Sequence, residues 1–114
     1  MSHRWRFWEN ARGDKVVADE IAALPDEDVV SIHAQMLIVR QDGLKASRHL
    51  IEDVYEVEAH GIDHSYRLLF SSEGRKGRIL LAVLLIEKKT QRTPKPALDL
   101  ARQRRDDWRD RGAK

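Results

Sequence analysis

Lys88, Lys89, Arg92 and Lys95 follow directly on an unbroken apolar run, Ile79 to Ile86, with Pro94 and Pro96 among the last of them. Any buried strand must surface into water somewhere, and a charge run is what solvates it. A rigid strand that delivers cations at fixed spacing is also suited to meeting an anionic substrate. The distribution of charge sharpens the second reading. From Lys88 to Lys114 ten Lys and Arg stand against four Asp and Glu, a local balance of +6. The other 87 residues hold eleven against fifteen, a balance of −4. Such asymmetry suggests a polyanion-facing end on an acidic body.

Other chemistries find less material. His49, His60 and His64 lack metal-ligand spacing and read as surface or turn residues. His49, beside Arg48 and near Lys45, is the one placed as a candidate general base. Arg67 on a strand has an alternative use, pairing with Glu56 or Glu58 across a hairpin. Trp5, Trp8 and Trp108 are of a type that stacks on bases, but on an edge strand and a thin helix seam they read as packing anchors. There is no Gly-rich phosphate loop and no Ser-His-Asp set. Cysteine is absent, which removes thiolate chemistry and points to a reducing cytosol.

The chain of 114 residues is expected to form one domain, 1–114, with a single core. Charged residues make up 35% and apolar ones 41%, as in a thin domain with wide solvated helix faces. The N-terminal stretch has no apolar h-region, and the longest apolar run is under half a membrane span, so a soluble cytoplasmic protein with no membrane partner is expected.

The elements that must position these cations can be read in order. "RWRFWE" (Arg4 to Glu9) is an opening strand, followed by turn chemistry and an N-cap at Asp14. Val17, Ile21 and Leu24 sit at helical spacing, Pro25 interrupts, and a second helix carries Val29, Ile32, Met36 and Val39 as its buried stripe, with Gly43 as its stop. Asp26, Glu27 and Asp28 in its first turn suit the macrodipole and, with Asp19 and Glu20, form an exposed acidic face. Residues 44 to 53 read as a loop or edge segment. "VYEVEAH" and "SYRLLF" alternate as hairpin strands, and Ile79 to Ile86 is apolar on both faces. "ALDLARQRRDDWRDR" is helical, with Arg102/Asp106 and Asp107/Arg111 at pairing distance. The expected result is an α+β domain: a strand, a two-helix hairpin, a three-stranded antiparallel meander and a C-terminal helix. Helices should pack on one face, leaving the face with Arg67 open.

Three motifs resemble the RelE/HigB superfamily of type II toxins, in its phage-derived HigB-like branch. "YRLLF" (Tyr66 to Phe70) is similar to the family's Tyr-Arg-hydrophobic strand. "RILLAVLLIEKKTQRTP" (Arg78 to Pro94) is similar to its last strand and Lys-Lys-Thr-x-Lys/Arg-Thr-Pro ending. "ALDLARQR" resembles the helix that follows, and Leu24-Pro25 the turn between two N-terminal helices.

The resemblance implies a RelE-like fold and a ribosome-dependent endoribonuclease (an mRNA interferase) that inhibits translation. Its RNA substrate would be mRNA on the ribosome, cleaved by 2′-OH attack without metal or other cofactor. A helix-turn-helix HigA-like antitoxin would restrain it. Carried over by position, Arg67, Lys88 and Lys89 become the catalytic set. Arg48, His49, Tyr66, Thr90, Arg92, Lys95, Arg104 and Arg105 become the RNA-contacting set. Two departures stand out. Glu58 occupies a position where the branch carries an arginine, and "TPKPAL" lacks the Tyr or His that many RelE-like enzymes have there. They leave open an alternative: a module of the same fold, weak or silent in catalysis, that binds an antitoxin or RNA.

Overall fold

The computed structural model describes residues 3–112 of the chain. Strand β1 (Arg4–Phe7) is followed by helices α1 (Val16–Ala22) and α2 (Asp26–Asp42). Strands β2 (Arg48–Ile51), β3 (Val54–His60), β4 (Ser65–Glu73) and β5 (Ile79–Glu87) come next, and α3 (Lys95–Asp110) closes the chain. The five strands form one mixed sheet in the order β1-β5-β4-β3-β2, with only the β1–β5 pair parallel. This is an α+β domain, and the expected meander is its β3-β4-β5 centre.

Local chemistry explains most boundaries. The turn after β1 is closed by Asn10, whose side-chain oxygen accepts the Arg12 and Asp14 amides at 3.0 and 2.9 Å. Asp14 itself takes the Asn10 amide rather than capping the helix, and Lys15 holds the cap position. Pro25 separates the first two helices, and Gly43, at φ 81°, ends the second in a conformation costly for side chains. Pro94 and Pro96 open α3, where missing amides cost nothing. Residues 48–51, expected as loop or edge, form the edge strand β2.

The sheet is covered on both faces, which corrects the expectation of one open face. Tyr66 points to α2, where its hydroxyl donates to Asp28 at 2.6 Å. Glu73, an odd number of residues along the same strand, points the opposite way and accepts from Arg109 of α3 at 2.8 Å. Burial on both sides is why Ile79 to Ile86 needs no polar face. A bulge at Val83 lets the strand change side, since Leu69 pairs with Leu84 but Phe70 pairs with Ala82.

The apolar seam of α3 is thin, as its sequence suggests, and arginines fasten the helix instead. Arg105 bonds Glu52, Asp53 and Asp106 at 2.7–2.9 Å, Arg109 reaches Asp53 and Glu73, and Arg111 pairs with Asp107 at 2.6 Å. Asp107/Arg111 thus pairs as expected, whereas Arg102 turns to Glu52 and Asp99 and leaves Asp106 to Arg105. Trp5 and Trp8 are packing anchors: Trp5 donates to the Met36 carbonyl and Trp8 to Asp107.

Candidate functional site

The site follows from the β4–β5 register. Arg67 pairs with Ile86 and Tyr66 with Glu87, so the Tyr-Arg strand and the cationic end of β5 do lie side by side. They do not form an open cationic edge. Arg67 is fully buried on the face covered by α3. Its Nη2 donates to the carbonyls of Thr90 and Gln91, both at 2.7 Å, and its Nε lies 3.6 Å from Glu56 and 4.0 Å from Glu58. Thr93 donates to Glu56 at 2.5 Å. Arg67 and Glu56 therefore latch the loop between β5 and α3 from beneath. Strand pairing was the alternative reading of Arg67, and the geometry agrees with it.

Three further sequence assignments meet obstacles of the same kind. Tyr66 is buried on the opposite face, and its bond to the Asp28 carboxylate raises its phenol to about 12. Arg105 is buried and held by three carboxylates. Arg104 lies 4.5 Å over the Trp8 ring and donates to the Val83 carbonyl at 2.9 Å. Tyr66 and Arg105 present no free polar edge to RNA, and Arg104 is turned onto Trp8 and β5. Asp28, expected on an exposed acidic face, is the buried acceptor of Tyr66 and of the Ile62 amide, and these bonds hold its carboxyl below the usual range.

What remains accessible is the loop itself. Lys89, Thr90, Arg92 and Lys95 are exposed, Lys89 with 77% of its side chain in solvent and Lys95 held by Asp99 at 2.9 Å. Lys88 is half-buried and pairs with Glu58 at 3.0 Å. Its ammonium holds the Glu58 carboxyl below its ordinary value against the opposing effect of burial. Arg48 and His49 lie on the edge strand β2. Arg48 stands 3.8 Å from Glu56, and His49 closes onto the Glu52 carbonyl.

An open cleft of about 530 Å³ separates this loop from the β3–β4 turn, lined by Asp63, His64, Ser65, Glu87, Lys88, Lys89, Thr90 and Gln91. In it His64 Nδ1 lies 3.2 Å from Glu87 Oε1. A carboxylate at one ring nitrogen fixes the imidazole and leaves the other nitrogen for proton exchange. His64 and Glu87 were missed in the sequence, because neither carries a motif. The signal was available only through register: the Lys88 amide bonds the Ser65 carbonyl at 2.7 Å, which brings the β3–β4 turn against the end of β5.

No curated protein matches the chain. A family model described as "Phage derived protein Gp49-like (DUF891)" matches residues 19–106, from the second half of α1 through most of α3. The family is a RelE-like, toxin-like one. With most of its length matched, the chain belongs to the Gp49-like family of phage-derived, toxin-like proteins.

Proposed function

We propose that this protein is the toxin of a type II toxin–antitoxin pair and cleaves mRNA on the ribosome by 2′-OH attack. The observation that carries the reading is the cleft in which the His64–Glu87 pair stands beside Lys88, Lys89 and Thr90. His64 takes the proton from the ribose 2′-hydroxyl as its oxygen bonds to phosphorus. The bond from phosphorus to the 5′ oxygen breaks, leaving a cyclic phosphate and a 5′-hydroxyl. Lys89, the exposed lysine of the cleft, stands against the charge that builds on the phosphorane and protonates the leaving oxygen. Arg67 becomes a positioning residue, since its guanidinium holds the loop rather than the substrate. The family membership supports the toxin reading, and the motifs ending at Pro94 support the ribosomal target.

Growth arrest on induced expression is the expected phenotype. His64→Ala should relieve it with the amount of folded protein unchanged, because His64 is half in solvent. A second reading, a catalytically silent module that binds RNA or a partner, is favoured by the complete enclosure of Arg67 among Glu56 and Glu58. Arrest equally strong in wild type and His64→Ala, without RNA cleavage in either, would select it.

A further inference from the structure

Helix α2 is apolar on more than its core side. Ile32, Met36 and Val39 face inward, yet Val30, Leu37 and Ile38 are 66%, 49% and 41% exposed. Among the described residues one other large apolar side chain is exposed, Ile62 at 64%. Its turn is fastened to the same helix. The Ile62 amide donates to Asp28 at 3.0 Å, and Ser31 donates to the His60 carbonyl at 2.8 Å. All four therefore gather on one side of the molecule, where a solvated helix face is the rule.

The outward residues of α2 also keep a heptad. Asp26, Val30, His33, Leu37 and Arg40 follow at steps of four, three, four and three, the spacing of a coiled-coil seam. Read along the helix the order is acid, apolar, imidazole, apolar, base, which is complementary to itself when reversed. Laid antiparallel on a second α2, Val30 meets Leu37 of the copy, Asp26 meets its Arg40, and His33 meets its own counterpart. An imidazole carries one donor and one acceptor, so two of them can bond each other. Asp26 and Arg40 are exposed, and among the described residues neither has an ion-pair partner. Glu27 and Asp42 stand off the seam, on the flank with Ile38. Antiparallel order also sets the positive end of each helix dipole beside the negative end of the other.

We infer that α2 is the interface of a symmetric homodimer, in which two copies of the chain pack this helix antiparallel about a two-fold axis at His33. Charge and spacing select that occupant, since a foreign helix would have to carry the same acid-to-base order in reverse. The Ile62 turn, held at Ser31 on the Ile38 flank, widens the contact beyond a single helix pair. The surface is still small for an interface, so association belongs in the micromolar range. It goes beyond the ribonuclease reading and is measured without RNA.

The test is sedimentation of the full chain over a series of concentrations, which should show a reversible monomer–dimer equilibrium. Symmetry counts every substitution twice, so Leu37→Glu should weaken pairing at least about a hundredfold, with the far-UV spectrum unchanged. Arg40→Glu should weaken it about tenfold, through two lost pairs and two new repulsions. The chain has no cysteine, so single cysteines report the direction of packing. Val30→Cys and Leu37→Cys mixed together should form a disulfide dimer under air oxidation. Val30→Cys alone should not, because its copies lie about 10 Å apart along the axis. A monomer at millimolar concentration, a dimer indifferent to Leu37→Glu, or Val30→Cys cross-linking as readily alone as in the mixture would overturn the inference. So would a monomer whose α2 resonances move only with a foreign amphipathic peptide or with phosphatidylcholine vesicles.

Discussion

Lys88 Nζ lies 3.0 Å from Glu58 Oε1, bridging the end of β5 to β3 across β4. The acidic residue that departs from the family's pattern is thus the counter-ion of the lysine that fits it. Together with Arg67 beneath Thr90 and Gln91, it fixes the loop whose exposed cations are Lys89 and Arg92.

Glu58→Gln should release Lys88 and strengthen binding to single-stranded RNA, with a salt slope steeper by about one phosphate contact. The same variant has a pH signature. Glu58 is held below its ordinary value by Lys88, so its contribution to stability is present above the unfolded pKa and is lost as pH falls through the folded one. Acid unfolding curves of wild type and Glu58→Gln should therefore converge as pH falls below the ordinary carboxylate range. Curves that stay parallel to the lowest pH would remove the pair from the account.

Gly61→Ala should destabilise the fold by about 1–3 kcal/mol, the range for overpacking. A Cβ at this position would collide with the buried Asp28 carboxylate, which is fixed by Tyr66 and by the neighbouring Ile62 amide. Denaturant midpoints check this, and Gly61→Ala combined with Asp28→Ala should lose less than the two changes added. Strict additivity would mean that the clash is relieved elsewhere.

Arg105→Ala should cost about 2 kcal/mol in chemical denaturation. That lies below the roughly 3–5 kcal/mol of a fully buried pair because Glu52 and Asp106 keep about half their exposure. Reversing Arg104 and Arg105 to Glu together should loosen α3 and lower the melting temperature rather than merely weaken RNA binding. An unchanged melting temperature with weaker RNA binding would return both residues to the nucleic-acid surface.

Arg67→Met should cost about 3 kcal/mol by leaving the buried Glu56 with only its longer contact to Arg48, and Arg67→Met with Glu56→Met should recover most of that. Loss of toxicity in Arg67→Ala alone would then report lost fold, so the soluble yield must be measured beside it. A single Arg67→Met variant as stable as wild type would show that the latch is dispensable.

The periodicity of the chain gave away its elements, because Val17/Ile21, Ile32/Met36/Val39 and the Tyr66–Phe70 alternation obey the helical and strand periods directly. Burial of charge was the part it concealed. Asp28 and Arg67 look solvated in the sequence, and only their partners 38 and 23 residues away in the chain, Tyr66 and Thr90, make their enclosure tolerable. The cationic tail misled for a related reason: its arginines answer carboxylates at Glu52, Asp53 and Glu73, far enough away to be counted in the acidic body. His64 was undervalued because a lone histidine near a turn gains meaning only from Glu87 across the strand pair.

RNA cleavage is proposed to take place in the cleft between His64 and Lys89. It is tested most directly by mapping the 5′ ends of ribosome-bound mRNA in a purified translation reaction, with wild type, His64→Ala and Lys89→Ala compared at equal folded concentration. New 5′-hydroxyl ends with matching cyclic phosphates should appear with wild type, and each variant should form them at least about a hundredfold more slowly, as for loss of a positioned proton carrier or charge stabiliser. No new ends with wild type, or the same ends at the same rate with both variants, would contradict it.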